Sequence, residues 1–176
     1  TTAPGEQEGA SQVAPVIAIA EAENGINADE IADGIQTEVT LPTGTLEGDT
    51  ITLTVTPVGG TPIQITHVVT DTEATAGLSE VTIPNDLNGI SADGDYSIVA
   101  TVTDKAGNSS APSTSLDFSV DTTAPDNTST TITIDDLTAD NVINKDEAAG
   151  NVTITGKVIG DFTAGDSVTV TVNNVT

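Results

Sequence analysis

Cysteine, methionine and tryptophan are absent from this chain of 176 residues, and only three of its residues are aromatic. The lack of cysteine excludes disulfides, thiol catalysis and Cys-ligated zinc or iron–sulfur sites. The lack of aromatic rings leaves little surface on which a sugar ring could stack. Paired carboxylates such as Asp135 and Asp136 are therefore a poor basis for a glycosidase.

Positive charge is almost absent as well, since three lysines and no arginine stand against 27 acidic residues and the net charge is −24. Nucleic acid is excluded as a partner because phosphate binding needs clustered cations. No apolar run approaches the length of a membrane span. The N-terminus has neither the basic start nor the apolar stretch of a signal peptide, so any targeting signal is expected outside this piece.

Nothing in the sequence assembles a catalytic site. His67 is the only imidazole in the chain, and it lies within a strand pattern where a surface role is the simpler interpretation. No Gly-x-Ser-x-Gly elbow occurs, and no base is placed by sequence to complete a triad. The prediction is that the chain is not an enzyme.

The residues that are abundant are β-branched: threonine, valine and isoleucine account for 66 of the 176 positions. Such side chains favour strands over helices. Alternating apolar residues, separated by Gly, Pro, Asn and Asp, predict seven strands at 16–20, 36–41, 51–56, 63–69, 78–83, 96–103 and 116–120. This pattern predicts an all-β fold, a seven-stranded antiparallel immunoglobulin-like β-sandwich. Tyr96, near the start of the sixth strand, fits either a tyrosine corner bonded to nearby backbone or an ordinary core tyrosine.

An internal repeat appears at an offset of 117 residues. Between 14–59 and 131–176 there are 14 identities in 46 positions, concentrated in two blocks. Thr122-Thr123-Ala124-Pro125 also repeats the opening four residues of the chain. The sequence therefore predicts tandem sandwiches: a linker at 1–13, one repeat at 14–121, a linker at 122–130, and the first, incomplete part of a second repeat at 131–176.

Carboxylate and amide side chains cluster in the loops, and these are the oxygen ligands that Ca²⁺ takes. If the strands alternate in direction, the loop after the first strand, the loop before Tyr96 and the end of the seventh strand meet at one end of the sandwich. The candidate ligands there are Asn27, Glu30, Asp93, Asp95 and Asp121, and those of the second repeat are Asp140, Asn144 and Glu147. The alternative is that these are solvated loop residues that give solubility.

Three motifs stand in order along the chain: Asp93-Gly94-Asp95-Tyr96, Val102-Thr103-Asp104-Lys105-Ala106-Gly107-Asn108-Ser109 and Val120-Asp121-Thr122-Thr123-Ala124-Pro125. In this order and spacing they resemble the bacterial immunoglobulin-like (BIg) extender repeats of giant RTX and biofilm-associated surface adhesins, exported by Gram-negative bacteria. The resemblance implies a secreted, cell-surface spacer in a long tether, with Ca²⁺ stiffening the junctions between neighbouring Ig-like repeats of the same chain. It also implies that host or matrix surfaces are contacted through other domains, in adhesion and biofilm formation.

A second interpretation is a ligand-binding adhesion module that recognises a host or matrix carbohydrate or protein. The self-similarity of the chain and its lack of tryptophan and arginine, residues that anchor many interfaces, favour the spacer.

Overall fold

The computed structural model of the protein describes residue 4, residues 13–85, residue 90, residues 92–162 and residues 166–172. Most of the predicted linker at 1–13 lies outside these residues. The chain divides into two compact parts, unit 1 (Thr1–Thr123) and unit 2 (Ala124–Thr176). Among the described residues, no helix is long and apolar enough to cross a membrane.

The described residues of unit 1 form a sandwich of two antiparallel sheets. Its strands are β1 (Val16–Ala18), β2 (Ile35–Thr40), β3 (Thr50–Pro57), β4 (Ile63–Val68), β5 (Leu78–Ile83), β6 (Gly94–Thr103) and β7 (Leu116–Val120). One sheet has the order β1-β2-β5 and the other has the order β4-β3-β6-β7. The predicted all-β, seven-stranded antiparallel fold is confirmed in unit 1.

Alternate residues of the strands fill the space between the sheets. On β3, Ile51, Leu53 and Val55 are all 0% exposed, whereas the threonines between them are half-buried. This is the period-two pattern of a strand with one face in the core. The rings of Tyr96 and Phe118 stack with their centroids 5.3 Å apart inside this core. Two of the three aromatic side chains of the protein are therefore used for packing.

Short helices interrupt the strand pattern at points that the sequence did not predict. They are α1 (Ala28–Ile31), α2 (Asp71–Ala76), and 3₁₀ turns at Ala20–Asn24 and Glu147–Ala149. The 3₁₀ turn at Ala20–Asn24 ends β1 at Ala18 rather than at residue 20. The physical reason is that alanine and glutamate, which occupy this stretch, favour helical over extended backbone.

Unit 2 repeats the first strand pairing of unit 1. Its strands β8 (Thr131–Ile134) and β9 (Gly156–Ile159) pair antiparallel, with Thr133 opposite Lys157. In unit 1, Val16 lies opposite Thr40. Adding 117 to both positions of that pair gives Thr133 and Lys157, the pair in unit 2. The offset of the sequence repeat is therefore also the offset between the two strand registers.

Two apolar residues of unit 2, outside its strands, are exposed where their unit 1 counterparts are buried. Val168 and Val170 are 52% and 39% exposed, whereas Ile51 and Leu53, which lie 117 positions earlier, are 0% exposed.

Candidate metal-binding end of the sandwich

The loop after β1 is attached to the end of β7 through Ile26. Ile26 forms an isolated parallel bridge with Val120, donates its N–H to the Ser119 carbonyl at 2.8 Å, and accepts from the Asp121 N–H at 2.9 Å. Its side chain is 0% exposed and anchors the loop in the core. Gly25 precedes it with a φ of +85°, and a Cβ at this position would meet the Ser119 hydroxyl at 3.1 Å. The loop and the end of β7 therefore lie side by side, as the alternation of strands predicted.

Asn27 and Glu30 cap the first turn of α1. The Asn27 Oδ1 accepts from the N–H groups of Asp29 and Glu30 at 2.9 and 3.1 Å, and the Asn27 N–H donates to Glu30 Oε2 at 2.9 Å. This reciprocal arrangement is a capping box, which satisfies N–H groups that a helix start leaves unpaired. Both predicted metal ligands thus have a structural role that accounts for their spacing.

Asp93 fastens the loop before β6 to the segment that leaves β7. Its carboxylate accepts from the Thr122 N–H at 2.7 Å, from the Thr122 hydroxyl at 2.6 Å and from the Thr123 hydroxyl. These hydrogen bonds, from the Thr122 hydroxyl first, hold the pKa of the Asp93 carboxyl below its usual value. The carboxylate is exposed and ionised, and it orders the chain at 122–123.

The same loop is held from inside by Tyr96, whose hydroxyl donates to the Ala92 carbonyl at 2.5 Å. This is the hydrogen bond of a tyrosine corner, which is thereby confirmed. Burial, and then the charge of Asp93, raise the pKa of the tyrosine hydroxyl, so it keeps its proton and donates. The position of Asp93 is therefore fixed from both sides.

Asp95 and Asp121 complete the group at this end. Asp95 pairs in register with Ser119, and Asp121 Oδ1 accepts from the Thr123 N–H at 3.1 Å. Within the described residues, no hydrogen bond involves the Asp95 side chain. The structure therefore brings the loop of Asn27 and the carboxylates of Asp93, Asp95 and Asp121 to one end of unit 1.

The donor chemistry at this end suits Ca²⁺, which takes carboxylate and amide oxygens. The positions of these side chains, however, do not form a complete metal site. In the part of the chain that the structure describes, no three His, Cys, Asp or Glu side chains converge as a metal site requires. Asn27, Glu30 and Asp93 already accept hydrogen bonds from the protein. The assignment of these residues as Ca²⁺ ligands stays a prediction.

In unit 2 the predicted ligands repeat the capping arrangement of unit 1. Asn144 Oδ1 accepts from the N–H groups of Asp146 and Glu147 at 2.9 and 3.0 Å, and Glu147 Oε2 accepts from the Asn144 N–H at 2.9 Å. Asp140 accepts from the Val142 N–H at 3.1 Å and the Thr138 hydroxyl at 3.0 Å. The Val142 hydrogen bond, followed by the Thr138 one, lowers the pKa of the Asp140 carboxyl. Each of these side chains is thus used to order its own loop.

A polar cluster that the sequence did not predict lies on the open side of the sandwich, between the edge strands β4 and β5. His67 Nε2 lies 2.8 and 3.0 Å from the two carboxylate oxygens of Glu73 on α2, and the Ser79 hydroxyl on β5 donates to Glu73 Oε1 at 2.7 Å. Glu73 also accepts from the Thr70 N–H in the capping box of α2. We call these four residues the edge clasp, because they join a strand of each sheet. The Thr-x-x-Glu spacing at 70–73 is the sequence signal for the helix start.

The edge clasp makes the stability of unit 1 dependent on acid. Burial raises the pKa of Glu73, but the hydrogen bonds from Thr70, Ser79 and His67 together outweigh it and lower the pKa to about 2. A carboxyl with a lowered folded-state pKa stabilises the fold above its unfolded value of 4.5, and this contribution is lost as the pH falls towards 2.

Glu73→Gln should therefore lower the free energy of unfolding at neutral pH by about 1–2 kcal/mol, because solvent screens part of the effect at this partly exposed carboxylate. The difference from the unsubstituted protein should shrink as the pH is lowered from about 4.5 to about 2. Urea titrations at several pH values measure both quantities. Glu80→Gln, at an exposed position on β5, is the control and should lose no stability. A Glu73→Gln deficit that is the same at all pH values would contradict this account.

Comparison with known proteins places this fold in a family. Residues 11–122 match the family described as the bacterial Ig-like domain. Among curated proteins no significant match is found. One similar solved structure is from a Ca²⁺-stabilised adhesin that helps an Antarctic bacterium reach out and bind ice. It is 30% identical, with a TM-score of 0.47, over 86% of this chain and 34% of that chain.

Another similar structure is a bacterial immunoglobulin-like domain from the M. primoryensis ice-binding adhesin. It is 25% identical, with a TM-score of 0.40, over 64% of this chain and 100% of that domain. The chain thus spans about a third of the length of the first structure. The family match covers well over half of the chain and coincides with the sandwich of unit 1. The chain belongs to the bacterial Ig-like domain family.

Proposed function

We propose that this chain is an extender segment of a secreted, cell-surface adhesin, a spacer of tandem Ig-like repeats that holds binding domains away from the cell. The observation that carries the proposal is the recurrence of one structural unit. The β1–β2 register and the capping box of Asn27 and Glu30 both recur 117 residues later. A chain built of repeated modules from a family that is not an enzyme family is suited to spanning distance.

The surface chemistry of unit 1 favours a spacer over a glycan-binding module. Tyr96 and Phe118 are only 3% and 5% exposed, and the third aromatic residue, Phe162, belongs to unit 2. Sugar recognition usually relies on exposed aromatic faces or on precisely placed polar groups in a concave pocket. The ligand-binding alternative would therefore have to work without an exposed phenylalanine or tyrosine ring in unit 1.

We also propose that Ca²⁺ binds at the end of unit 1 and limits bending between successive repeats, within an assembly that supports adhesion and biofilm formation. Asp95, whose carboxylate is free of hydrogen bonds in the described structure, and Asp121 would hold the ion, assisted by Asp93. In a chain with a net charge of −24, a divalent cation relieves repulsion among these carboxylates. The linker after β7 contains one proline and otherwise has ordinary flexibility, so a bound ion would add stiffness that the backbone lacks.

Calcium should raise the unfolding temperature of the protein in a saturable way. Extracellular Ca²⁺ modules bind with dissociation constants of about 10⁻⁴–10⁻³ M, so millimolar CaCl₂ should be sufficient. Each kcal/mol gained from binding should raise the midpoint by roughly 3–5 °C for a domain of this size. NaCl of equal ionic strength is the control for general screening of charge. Identical melting curves in EDTA and in calcium would contradict the proposal.

Asp121→Ala tests the assignment of the site. It should remove most of the calcium-dependent stabilisation, whereas Asp117→Ala, an exposed carboxylate on β7, should retain it. Small-angle scattering should also show a calcium-dependent increase in maximum dimension for the control and none for Asp121→Ala. An unchanged calcium response in Asp121→Ala would exclude this residue as a ligand.

A further inference from the structure

A short parallel pairing joins the loop after β1 to β7, the last strand of unit 1. The Ile26 N–H donates to the Ser119 carbonyl at 2.8 Å, and the Asp121 N–H donates to the Ile26 carbonyl at 2.9 Å. The two segments run in the same direction where Ile26 bridges Val120. The strand pairs described in unit 1 are all antiparallel, so this pairing differs from them. We call it the Ile26 bridge.

Because its two segments are parallel, the Ile26 bridge resists tension in shear. When a chain is pulled at both ends, the N-terminal side of a domain is drawn backwards along the chain and its C-terminal side is drawn forwards. Parallel neighbours then slide past each other, and both hydrogen bonds of the bridge must stretch at the same time. Two strands that are peeled apart from one end lose their bonds one after another, so each bond breaks at a lower force.

Little structure lies between the Ile26 bridge and the points where tension reaches unit 1. On the N-terminal side is β1, an edge strand of three residues that pairs with β2. On the C-terminal side, the Asp93 carboxylate accepts hydrogen bonds from Thr122 and Thr123, and their loss frees only these two residues. Once β1 and these hydrogen bonds give way, tension passes from Ile26 to β7 directly through the bridge.

The residues around position 26 fix the bridge in place. The Ile26 side chain is 0% exposed, so the loop can leave β7 only by exposing an apolar group to water. Gly25 has a φ of +85°, which residues with a side chain rarely adopt, and a Cβ there would meet the Ser119 hydroxyl at 3.1 Å. The close approach of the loop to β7 therefore depends on glycine at position 25.

We propose that the Ile26 bridge is a mechanical clamp, which carries tension across unit 1 and keeps residues 27–118 free of it. Tension that enters at Ile26 leaves through Ser119 and Asp121, so the strands between them bear no load until the bridge breaks. Forced unfolding is governed by the unfolding rate rather than by the equilibrium stability. The inference rests on the proposed spacer function for its biological use, because a tether keeps its reach under tension only while its domains stay folded.

Single-molecule stretching of the full chain tests this proposal. The chain has no cysteine, so Val13→Cys and Ala124→Cys provide two unique attachment points at exposed positions that flank the sandwich. The main unfolding step should release residues 27–120 and lengthen the chain by roughly 300 Å, since an extended chain spans about 3.3–3.6 Å per residue. Residues 16–25 should be released before that step. The measurement is made in EDTA, which keeps the result independent of bound calcium.

Gly25→Ala and Asp121→Pro are the test variants. The first pushes the loop away from Ser119, and the second removes the N–H that donates to Ile26. Each should raise the rate of the main step at a fixed force by about tenfold. Gly44→Ala is the matched control, because Gly44 also has a positive φ, of +91°, and a Cβ there would meet no atom within 4 Å. Its turn lies off the path of the load, so the rate should change by less than about twofold.

Urea titration followed by the fluorescence of the buried Tyr96 verifies that each variant is folded and measures its equilibrium stability. Unchanged rates in both test variants would overturn the proposal, and so would equal increases in Gly25→Ala and Gly44→Ala. A main step that also includes residues 16–25 would assign the load to β1 and overturn it as well. Strong binding of a glycan by the chain would contradict the spacer function but leave these rates unchanged, so the two failures are distinguishable.

Discussion

Phe118→Ala should lower the free energy of unfolding of unit 1 by about 3–5 kcal/mol, the usual range for removing a buried phenylalanine. Phe118 is 5% exposed and stacks on Tyr96 with an interplanar angle of 13°. Tyr96 is the only other Phe, Tyr or Trp residue in unit 1, and it already packs against Phe118, so no further aromatic side chain can fill the space that Phe118 would leave. A typical domain is stable by only about 5–15 kcal/mol, so this single change would leave unit 1 marginal or unfolded.

Tyrosine fluorescence during a urea titration measures this effect selectively, because the chain has no tryptophan and its only tyrosine belongs to unit 1. Phe162→Ala is the matched control, since Phe162 is 50% exposed in unit 2. That variant should leave the tyrosine transition unchanged. A loss below about 1 kcal/mol for Phe118→Ala would mean that residue 118 contributes little to the core, against its observed burial.

The strands of unit 1 could be predicted from the sequence because apolar and polar residues alternate along each strand. In β3 every second residue is apolar and buried, and Pro57 ends the pattern where the strand ends. The short helices α1 and α2 could not be found in this way, because four to six residues are too few to show a helical period. Their capping boxes, Asn-x-x-Glu and Thr-x-x-Glu, were the available signal.

The sequence predicted which segments meet at the candidate site but not the role of each side chain, and the reason is chemical. Strand alternation was sufficient to gather the loop of Asn27 with Asp93 and Asp121, and the hydrogen bonds of the structure join these segments. The role of each oxygen was not determined, because a carboxylate or amide that suits Ca²⁺ also suits a backbone N–H. Asn27 and Glu30 have the spacing of a capping box, and the structure uses them as one.

The edge clasp illustrates the other limit of sequence reasoning. His67 and Glu73 are only six residues apart, yet their contact depends on how α2 crosses from one sheet to the other. Ser79 joins them because β5 follows α2 directly. No local pattern of charge or polarity predicts how a helix crosses between two sheets. The sequence could therefore place the single histidine on a strand, but it could not predict that Glu73 is its partner.

Ile26→Ala is expected to cost about 2–5 kcal/mol, the range for truncating a fully buried isoleucine. The side chain is 0% exposed, and its backbone bonds both Ser119 and Asp121. Its loss would therefore weaken the core and loosen the loop after β1, which lies beside the candidate metal ligands. Urea titration followed by tyrosine fluorescence measures the first effect, and the calcium-dependent shift in unfolding temperature measures the second.

The internal repeat supplies the control for this change. Ile143 lies 117 residues after Ile26 and is 44% exposed, so Ile143→Ala should change stability by less than about 0.5 kcal/mol. If Ile26→Ala is destabilising but keeps the full calcium response, the ion does not depend on this loop, and Asn27 and Glu30 then act as helix caps alone. A parallel loss of stability and of calcium response would instead tie the loop to the binding end, since Ile26 reaches Asp121 through a backbone hydrogen bond.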